Sequence, residues 1–334
     1  MTKAGVIGIS GYTGEMTASI LLDHPKMELC YVSSRVKKPV KFSKIFPQFR
    51  GKTNILCRQF DAKEACLCDI LFLALPHTVS QGFAPLLLKG GKRVIDLSAD
   101  YRIKNTAVYK TYYKVTHSDK RNLKSAVYGM PELYKDQIKR ASLVANPGCY
   151  PTASLLALAP LVKAKLIKNI IIDAKSGISG AGRKAVIEYQ KSHSKSNLFG
   201  YKAFTHQHAP EIEAILSGLA GKKLNLQFMP HVIPAQRGIY VTIYADLTRT
   251  VTKPKLLKVF NDCYRRAAFV RVLKNRLVHL DDVLDTNFCD ISVECSGKKV
   301  VIFAAIDNLI KGAAGQAVQN ANIMLGFNEK LGLE

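Results

Sequence analysis

Residues 4–9 (AGVIGI) are a short apolar run that breaks at Gly8, and Gly11 and Gly14 come at three-residue intervals before a helix-compatible stretch from Glu15 to Leu22 that stops ahead of Pro25. A buried strand that turns through glycines and restarts as a helix constrains the rest of the chain, because the helix must return it to a strand parallel to the first. Glu28 to Val32 supplies that second strand. Further apolar runs at Ile70 to Leu75 and Arg93 to Leu97 flank a helical stretch near Val79 to Leu88. Strand and helix thus alternate, as they do in a Rossmann-like, doubly wound parallel sheet.

After about residue 150 the texture changes. A helix at Thr152 to Lys163 precedes longer strands at Ile170 to Ala174, Leu226 to Val232, Gly238 to Ala245 and Lys299 to Ile306, with helices at Pro254 to Ala267 and Ala313 to Leu325. These strands suggest an α+β part built on a mostly antiparallel sheet, while the last helix could pack back on the first part. With 334 residues, 48% of them hydrophobic, and a domain size of roughly 150 residues, two domains are expected. We place them at 1–148 plus 310–334 and at 149–309. The sequence shows no internal repeat and no low-complexity segment.

No stretch approaches the ~18 apolar residues of a membrane span, and residues 1–10 run into strand and turn where a signal peptide would have its apolar core. A soluble, cytoplasmic protein is the expectation. The eight cysteines are scattered, and Cys66 and Cys68 are spaced unsuitably for a zinc knuckle, so free thiols and no metal are expected. Net charge is +24, from 49 Lys and Arg against 25 Asp and Glu. Such a surface attracts phosphorylated substrates, nucleotides or an acidic carrier protein. Nucleic acid would be the competing inference, but the densest basic run, Arg35 to Arg58, lacks a nucleic-acid motif and reads as a solvated surface.

The segment Gly8-Ile-Ser-Gly11-Tyr12-Thr13-Gly14 lies between first strand and first helix, where small residues let a pyrophosphate approach and the helix N-terminus supplies N–H donors. Its G-x-x-G-x-x-G spacing is a variant of the usual dinucleotide fingerprint, and an ordinary glycine turn is the alternative. An NAD site usually carries an acidic residue after the second strand. Here Ser33, Ser34 and Arg35 stand in that place, a set that favours a 2′-phosphate and hence NADP(H), unless Arg35 merely begins the basic run. Pro76 and His77 come after another parallel strand and would border the nicotinamide, although His77 could equally be loop structure.

Cys149 lies between a strand and a helix that begins near Pro151. A helix N-terminus and a nearby histidine can lower a thiol pKa and so activate a nucleophile, whereas a buried structural thiol is the plain alternative. The run N-P-G-C-Y-P-T at 146–152, with Ala153 and Pro160 beyond it, resembles the active-site signature of N-acetyl-gamma-glutamyl-phosphate reductases. So do Gly8 to Gly14, Asp96 to Arg102, Tyr128 to Glu132, Ser176 to Arg183, His206 to Glu211 and Lys311 to Gly315, in order along the whole chain.

The resemblance implies the fold shared with aspartate-semialdehyde dehydrogenases, in which the second domain is catalytic and mediates dimerisation. It implies reductive dephosphorylation of an acyl phosphate by NADPH through a thioester on Cys149, releasing inorganic phosphate. His208 would be the acid/base, with His206 as its neighbour. Arg102, with Ser98, would clamp phosphate or carboxylate, and Arg183 would line a second anion-accepting loop, whose plain alternative is a flexible connection with one surface arginine. Glu211 would serve the substrate side, orient a histidine or begin its own helix, where a carboxylate favours the positive end. Ser179, Gly180 and Asn308 would approach the cofactor, although Asn308 could equally cap a helix. A homodimer or homotetramer is implied. The main rival is the same chemistry on a carrier-linked aminoadipyl or glutamyl phosphate. An aspartate-semialdehyde dehydrogenase fits the nucleophile and histidine blocks less well. A non-catalytic NADP sensor or nucleic-acid-binding protein would have no use for Cys149 with paired histidines.

Overall fold

The computed structural model describes residues 1–183, 186–188 and 196–334. The chain forms two compact units, Met1–Pro147 with Ala313–Glu334, and Gly148–Gly312.

The first unit is built on an eight-stranded sheet. Its spatial order is Val40–Lys41, Leu56–Arg58, Met27–Ser33, Thr2–Ile7, Ile70–Leu73, Arg93–Asp96, Leu143–Ala145, Val127–Tyr128. Every neighbouring pair is parallel except Val40–Lys41 beside Leu56–Arg58. From Thr2–Ile7 the chain first moves to one side and then returns to the other at Ile70–Leu73. The order therefore reverses at the C-terminal end of Thr2–Ile7, where open α/β sheets bind ligands. Ile70, Phe72, Ile95 and Val144 pack with Ala18, Leu21, Val318 and Ala321, whereas Leu71, Leu73, Val94 and Ala145 pack with Ala84 and Leu87. Helices cover both faces, which explains why these strands read as unbroken apolar runs.

Several elements differ in extent from the sequence reading. The first helix spans Tyr12–Leu22, so its opening turn is made by the glycine segment itself. The stretch Val79 to Leu88 is divided into a 3-10 turn at Ser80–Gly82 and a helix at Ala84–Lys89, because Pro85 has no N–H with which to continue a preceding helix. The basic run Arg35 to Arg58 hangs on three aromatic anchors. Phe42 and Phe49 stack with ring centroids 5.0 Å apart, Phe46 meets Phe42 edge-on at 5.3 Å, and all three join the core while Lys37, Lys38, Lys41 and Lys44 stay exposed.

The last helix, Gly315–Met324, is buried at every residue. Two of its asparagines donate within the unit: Asn320 Nδ2 to Gly129 O at 2.8 Å and to Asn146 Oδ1 at 3.0 Å, and Asn322 Nδ2 to Leu331 O at 2.8 Å. His24 Nδ1 accepts the Met27 N–H at 2.9 Å, so its ring proton sits on Nε2, facing Asn322 Oδ1 at 3.1 Å. Burial pushes the His24 pKa down, which keeps the ring neutral.

The second unit holds a sheet of seven described strands in the order Phe199–Gly200, Leu226–Val232, Ile167–Ser176, Ile239–Leu247, Lys299–Ile306, Cys289–Ser296, Val270–Val272. Four neighbouring pairs are antiparallel and two parallel. Strand Cys289–Ser296 is absent from the sequence reading because polar residues interrupt its apolar pattern. Asp290 is fully buried there, held by Arg271 Nη2 at 2.9 Å. Helix Cys149–Lys163 packs against this sheet and is buried from Tyr150 to Val162. It begins at Cys149 rather than near Pro151, so the cysteine is the first residue of the helix and not the loop before it.

Phe42 is fully buried in the first unit. Phe42→Ala should lower the unfolding free energy by about 3 kcal/mol, read as a shift of the urea midpoint with little change in slope.

Candidate active site

In the first unit, the glycine loop is fixed from several directions. Gly8 N and Ile9 N both donate to Ser33 O, at 2.9 and 3.2 Å, which ties the loop to the end of the neighbouring strand. Gly8 has φ +97°, and a Cβ there would lie 2.4 Å from Ala74 O; a Cβ on Gly14 would lie 2.4 Å from Gly8 O. These two glycines answer to the protein's own packing. Gly11 does not: it adopts φ −86°, and a Cβ there would meet nothing within 4 Å. No side chain caps the helix that Gly11 opens. The open space over Gly11 and the uncapped N–H groups fit the approach of a pyrophosphate. Ser33 is buried, Ser34 half-buried with its N–H on Arg58 O at 2.9 Å, and Arg35 exposed. Tyr12 and Thr13 are half-buried on the first turn, and Pro76 and His77 are exposed after strand Ile70–Leu73.

A buried polar network braces the end of strand Arg93–Asp96. The Ser98 hydroxyl donates to Asp96 Oδ2 at 2.8 Å and accepts the Asp100 N–H at 3.2 Å. Asp100 in turn accepts Thr78 N at 2.6 Å, Gln81 N at 3.0 Å and the Tyr109 hydroxyl at 2.8 Å, holding the loop that carries His77. Thr78 is one of the few non-glycine residues with positive φ, +73°, a conformation that this network supports. His77 Nδ1 accepts the Ala99 N–H at 3.1 Å, and its ring meets Tyr113 edge-on. Arg102 directs Nε to Asn146 O at 2.7 Å and Nη2 to Leu97 O at 2.8 Å. Asn146 also donates to Ala313 O at 3.1 Å. Ser98 and Arg102 are thus brought together around the strand end, with the serine hydroxyl engaged on both sides.

In the second unit, Cys149 opens a fifteen-residue helix, where the dipoles of the first-turn amides create positive potential. The preceding Gly148 N–H donates to Glu211 Oε1 at 2.9 Å. Glu211 is buried in the first turn of helix His208–Ala220. It therefore stands at its own helix start and also binds the backbone beside Cys149. Gly312 packs so closely that a Cβ there would lie 2.9 Å from Cys149 Cβ.

His206 and His208 are both buried, with ring centroids 4.8 Å apart. The His208 N–H donates to His206 Nδ1 at 3.1 Å. Tyr150, the residue after the cysteine, presents its ring to both, at 5.7 and 5.9 Å. Its hydroxyl donates to His231 O at 3.0 Å and accepts from Tyr201 at 3.4 Å. Burial raises both phenol pKa values, that of Tyr201 to about 12. Both hydroxyls are therefore neutral at ordinary pH. The sequence reading missed Tyr150, Tyr201 and Gly312; the signal for the first was its place beside the cysteine.

The loop Ser176 to Arg183 is also built tightly. A Cβ on Gly180 would lie 2.9 Å from Ser176 Oγ. Asn308 Nδ2 donates to Ser179 Oγ at 3.0 Å, and its Oδ1 accepts Gly238 N at 2.7 Å, so Asn308 joins two loops. The neighbouring Asp307 is buried and accepts Leu309 N at 2.8 Å and Ile310 N at 3.0 Å, capping the next turn, while Arg237 Nη2 pairs with its Oδ2 at 2.8 Å. The capping role weighed for Asn308 thus falls to Asp307. Arg183 is half-buried at the end of the loop, beyond Gly182 at φ +86°. Among the described residues, no group of three or more His, Cys, Asp or Glu is arranged to hold a metal, all eight cysteines are free, and no helix is long and apolar enough to cross a membrane.

A glycine turn at the reversal point of a parallel sheet, and a unit with a second, mixed sheet whose helix opens with a cysteine followed by a tyrosine packed on a histidine pair, define the class of two-domain semialdehyde dehydrogenases. Residues 3–141 match the semialdehyde dehydrogenase NAD-binding domain and residues 149–308 the semialdehyde dehydrogenase dimerisation domain. The fold is also that of aspartate semialdehyde dehydrogenase II from Vibrio cholerae, solved with ASA, at TM-score 0.74 and 16% identity over 98% of each chain. The aspartate semialdehyde dehydrogenase of Candida albicans, solved with NADP, gives TM-score 0.68 at 16% identity over 97% of this chain and 98% of that one.

Within that class the chain belongs to the N-acetyl-gamma-glutamyl-phosphate reductase family, as its signature blocks led us to expect. It is 44% identical over 349 residues to the enzyme of that name from Desulfotalea psychrophila, covering 100% of this chain and 98% of the relative. The namesake from Caldicellulosiruptor saccharolyticus is 43% identical over 337 residues, with the same coverage.

The geometry of the first unit has two measurable outcomes. Gly14→Ala should destabilise by about 2 kcal/mol or more, whereas Gly11→Ala should stay within about 0.5 kcal/mol of the parent in urea unfolding. Burial, and next the charge of Asp100, raise the Asp96 pKa to about 6 from the ordinary value of 3.8. The folded state therefore holds this proton more tightly, and its contribution is complete below pH 4 and lost as pH rises through 6. Asp96→Asn should flatten the fall of stability between pH 4 and 6, worth about 2 kcal/mol, in unfolding curves taken across that range.

Proposed function

We propose that the chain catalyses the NADPH-dependent reductive dephosphorylation of N-acetyl-L-glutamyl 5-phosphate to N-acetyl-L-glutamate 5-semialdehyde, a step of arginine biosynthesis. The observation that carries this reading is Cys149 at the head of a buried helix, next to a tyrosine that packs on His206 and His208. Residues 1–148 and 310–334 bind the dinucleotide, and 149–309 carry catalysis and assembly. The relatives bearing the reductase name support the substrate.

In this mechanism the Cys149 thiolate attacks the acyl carbon, the carbon–oxygen bond to phosphate breaks, and inorganic phosphate leaves with the electron pair. Bound NADPH supplies the hydride that reduces the resulting thioester. The oxygen of the thiohemiacetal on Cys149 then gives up its proton, the carbon–sulfur bond breaks, and the aldehyde leaves as the thiolate is restored. His208 holds and returns the proton at that oxygen. His206 accepts the His208 backbone N–H through Nδ1, and so acts as the positioning partner. Glu211 fixes the Gly148 amide beside the nucleophile. Arg102, whose orientation is set by the Leu97 and Asn146 carbonyls, provides guanidinium charge for phosphate or carboxylate, with Arg183 and Ser98 supporting. Gly8, Gly11, Tyr12, Thr13 and Gly14 cradle the pyrophosphate, and Ser34 and Arg35, beside Ser33, accept the 2′-phosphate. Pro76, His77, Ser179, Gly180 and Asn308 border the nicotinamide.

For assembly, the second unit's sheet exposes Ile171, Met229 and Tyr244 on adjacent strands. This face is the proposed contact of a homodimer, from which a tetramer could be built. Free thiols and a water-soluble substrate suit a cytoplasmic enzyme. The net charge of +24 favours, as second reading, the same chemistry on an acyl phosphate linked to an acidic carrier protein.

The reaction is tested in reverse with N-acetylglutamate semialdehyde, NADP and phosphate. Cys149→Ala should lose at least about 10⁴-fold in kcat, and His208→Asn about 10²- to 10⁴-fold with a changed pH profile. Gly11→Ala should raise the KM for NADP, and Arg35→Asp should raise it more for NADP than for NAD. Turnover that survives in Cys149→Ala removes the thioester; turnover only with a carrier-linked aldehyde moves the substrate to the second reading.

A further inference from the structure

Away from the nucleophile, the first unit brings two other thiols together. Cys30 Sγ lies 3.2 Å from Cys68 Sγ, although the residues are 38 apart in sequence. Three local features produce this approach. In the register between strands Thr2–Ile7 and Met27–Ser33, Ala4 faces Leu29 and Gly5 faces Tyr31, which leaves Cys30 as the extra residue of a β-bulge. A bulge re-aims the side chain it carries. Cys68 stands just before strand Ile70–Leu73, on the other side of Thr2–Ile7. Between them is Gly5, where a Cβ would lie 3.0 Å from Cys68 Sγ and 3.3 Å from Tyr31 Cβ. Any larger residue would crowd the space in which the two sulfurs meet across the central strand.

The two thiols are also unequal. Cys30 is half-buried, whereas Cys68 is fully buried. The hydrogen bond from Cys68 draws the Cys30 pKa below its ordinary value, and the same bond together with burial pushes Cys68 upward. This is the arrangement of an accessible attacking sulfur backed by a sheltered resolving one.

We propose that Cys30 and Cys68 are an oxidative modification site, a dithiol that hydroperoxides convert reversibly to a disulfide across the central strand of the dinucleotide-binding sheet. The Cys30 thiolate attacks one peroxide oxygen, the O–O bond breaks, and the departing oxygen leaves as water after taking a proton. Cys30 is then a sulfenic acid. The Cys68 thiol gives up its proton, its sulfur attacks Cys30 Sγ, and hydroxide leaves as a second water. Two thiols have lost two electrons and two protons, and one hydrogen peroxide has become two waters. A disulfide needs the sulfurs to close to about 2.05 Å, a short movement from the observed separation. The link would fasten the strand that ends in Ser33, whose carbonyl holds the Gly8 and Ile9 amides. It is independent of the reaction at Cys149.

The test is a mass map of the full chain, treated with hydrogen peroxide, alkylated, and digested without reductant. A Cys30–Cys68 linked peptide should appear, disappear with dithiothreitol, and be accompanied by loss of the alkylated forms of both residues. Cys66→Ser should retain the link, while Cys30→Ser and Cys68→Ser should each abolish it. Alkylation of both residues to the same extent with and without peroxide would overturn the proposal. So would sulfinic acid on Cys30 with Cys68 still a thiol, or a link from Cys30 to Cys66 instead. Wild type and Cys66→Ser decide the matter even where a variant of the pair fails to fold.

Discussion

The close approach of backbone to backbone at the end of strand Thr2–Ile7 sets the shape of the first unit. Gly8 passes so near the Ala74 carbonyl, and Gly14 so near the Gly8 carbonyl, that neither position has room for a Cβ. The two amides given to Ser33 O fasten the same loop sideways. Strand, loop and helix are therefore one rigid piece, and the helix N-terminus is aimed by contacts that the protein makes with itself. Gly11 is the exception, since its missing side chain relieves no contact inside the protein.

The second unit solves a different problem, how to keep polar and ionisable groups in a dry setting without spoiling the core. Tyr150 meets His206, His208 and Phe228 edge to face, Tyr201 meets His206 in the same way, and His206 lies tilted against Phe228, while the Tyr150 hydroxyl bonds to His231 O and to Tyr201 and His206 Nδ1 accepts the His208 N–H. Offset and edge-on rings pack well while leaving ring nitrogens and hydroxyls at the margin. Burial weakens the phenols as acids, so both hydroxyls stay protonated near neutral pH. Gly312, pressed on Cys149 Cβ, limits where the sulfur can go.

Much of this was legible in the sequence, for identifiable reasons. The parallel sheet announced itself because strands such as Ile70–Leu73 are buried on both faces and leave no polar alternation to confuse. Leu226–Val232 and Lys299–Ile306 were read to the residue. The helix starts were harder. Glycine at 11 and 14 argues locally against helix, and proline at 151 marks a later first helical position, yet the chain is already helical at Tyr12 and Cys149. Cys289–Ser296 was missed because its buried Asp290 is matched by Arg271, a partner that no local pattern reveals. The hydroxyl of Ser98 and the guanidinium of Arg102 read as groups free for a ligand, whereas much of their hydrogen bonding is spent on Asp96, Leu97 and Asn146. Such long-range pairings lie outside sequence periodicity altogether.

The last helix has a consequence for how the molecule comes into being. Asn320 closes hydrogen bonds to Gly129 and Asn146, residues 191 and 174 positions earlier, and Ala317, Val318 and Ala321 complete a core layer begun at Ala4 and Val6. During synthesis the whole intervening unit emerges before that layer can be sealed. The dinucleotide sheet is therefore begun before the second unit is made and sealed only after it, and loop closure over that separation slows its completion. In the interval, the open layer is the apolar surface that a nascent chain most needs shielded from its neighbours.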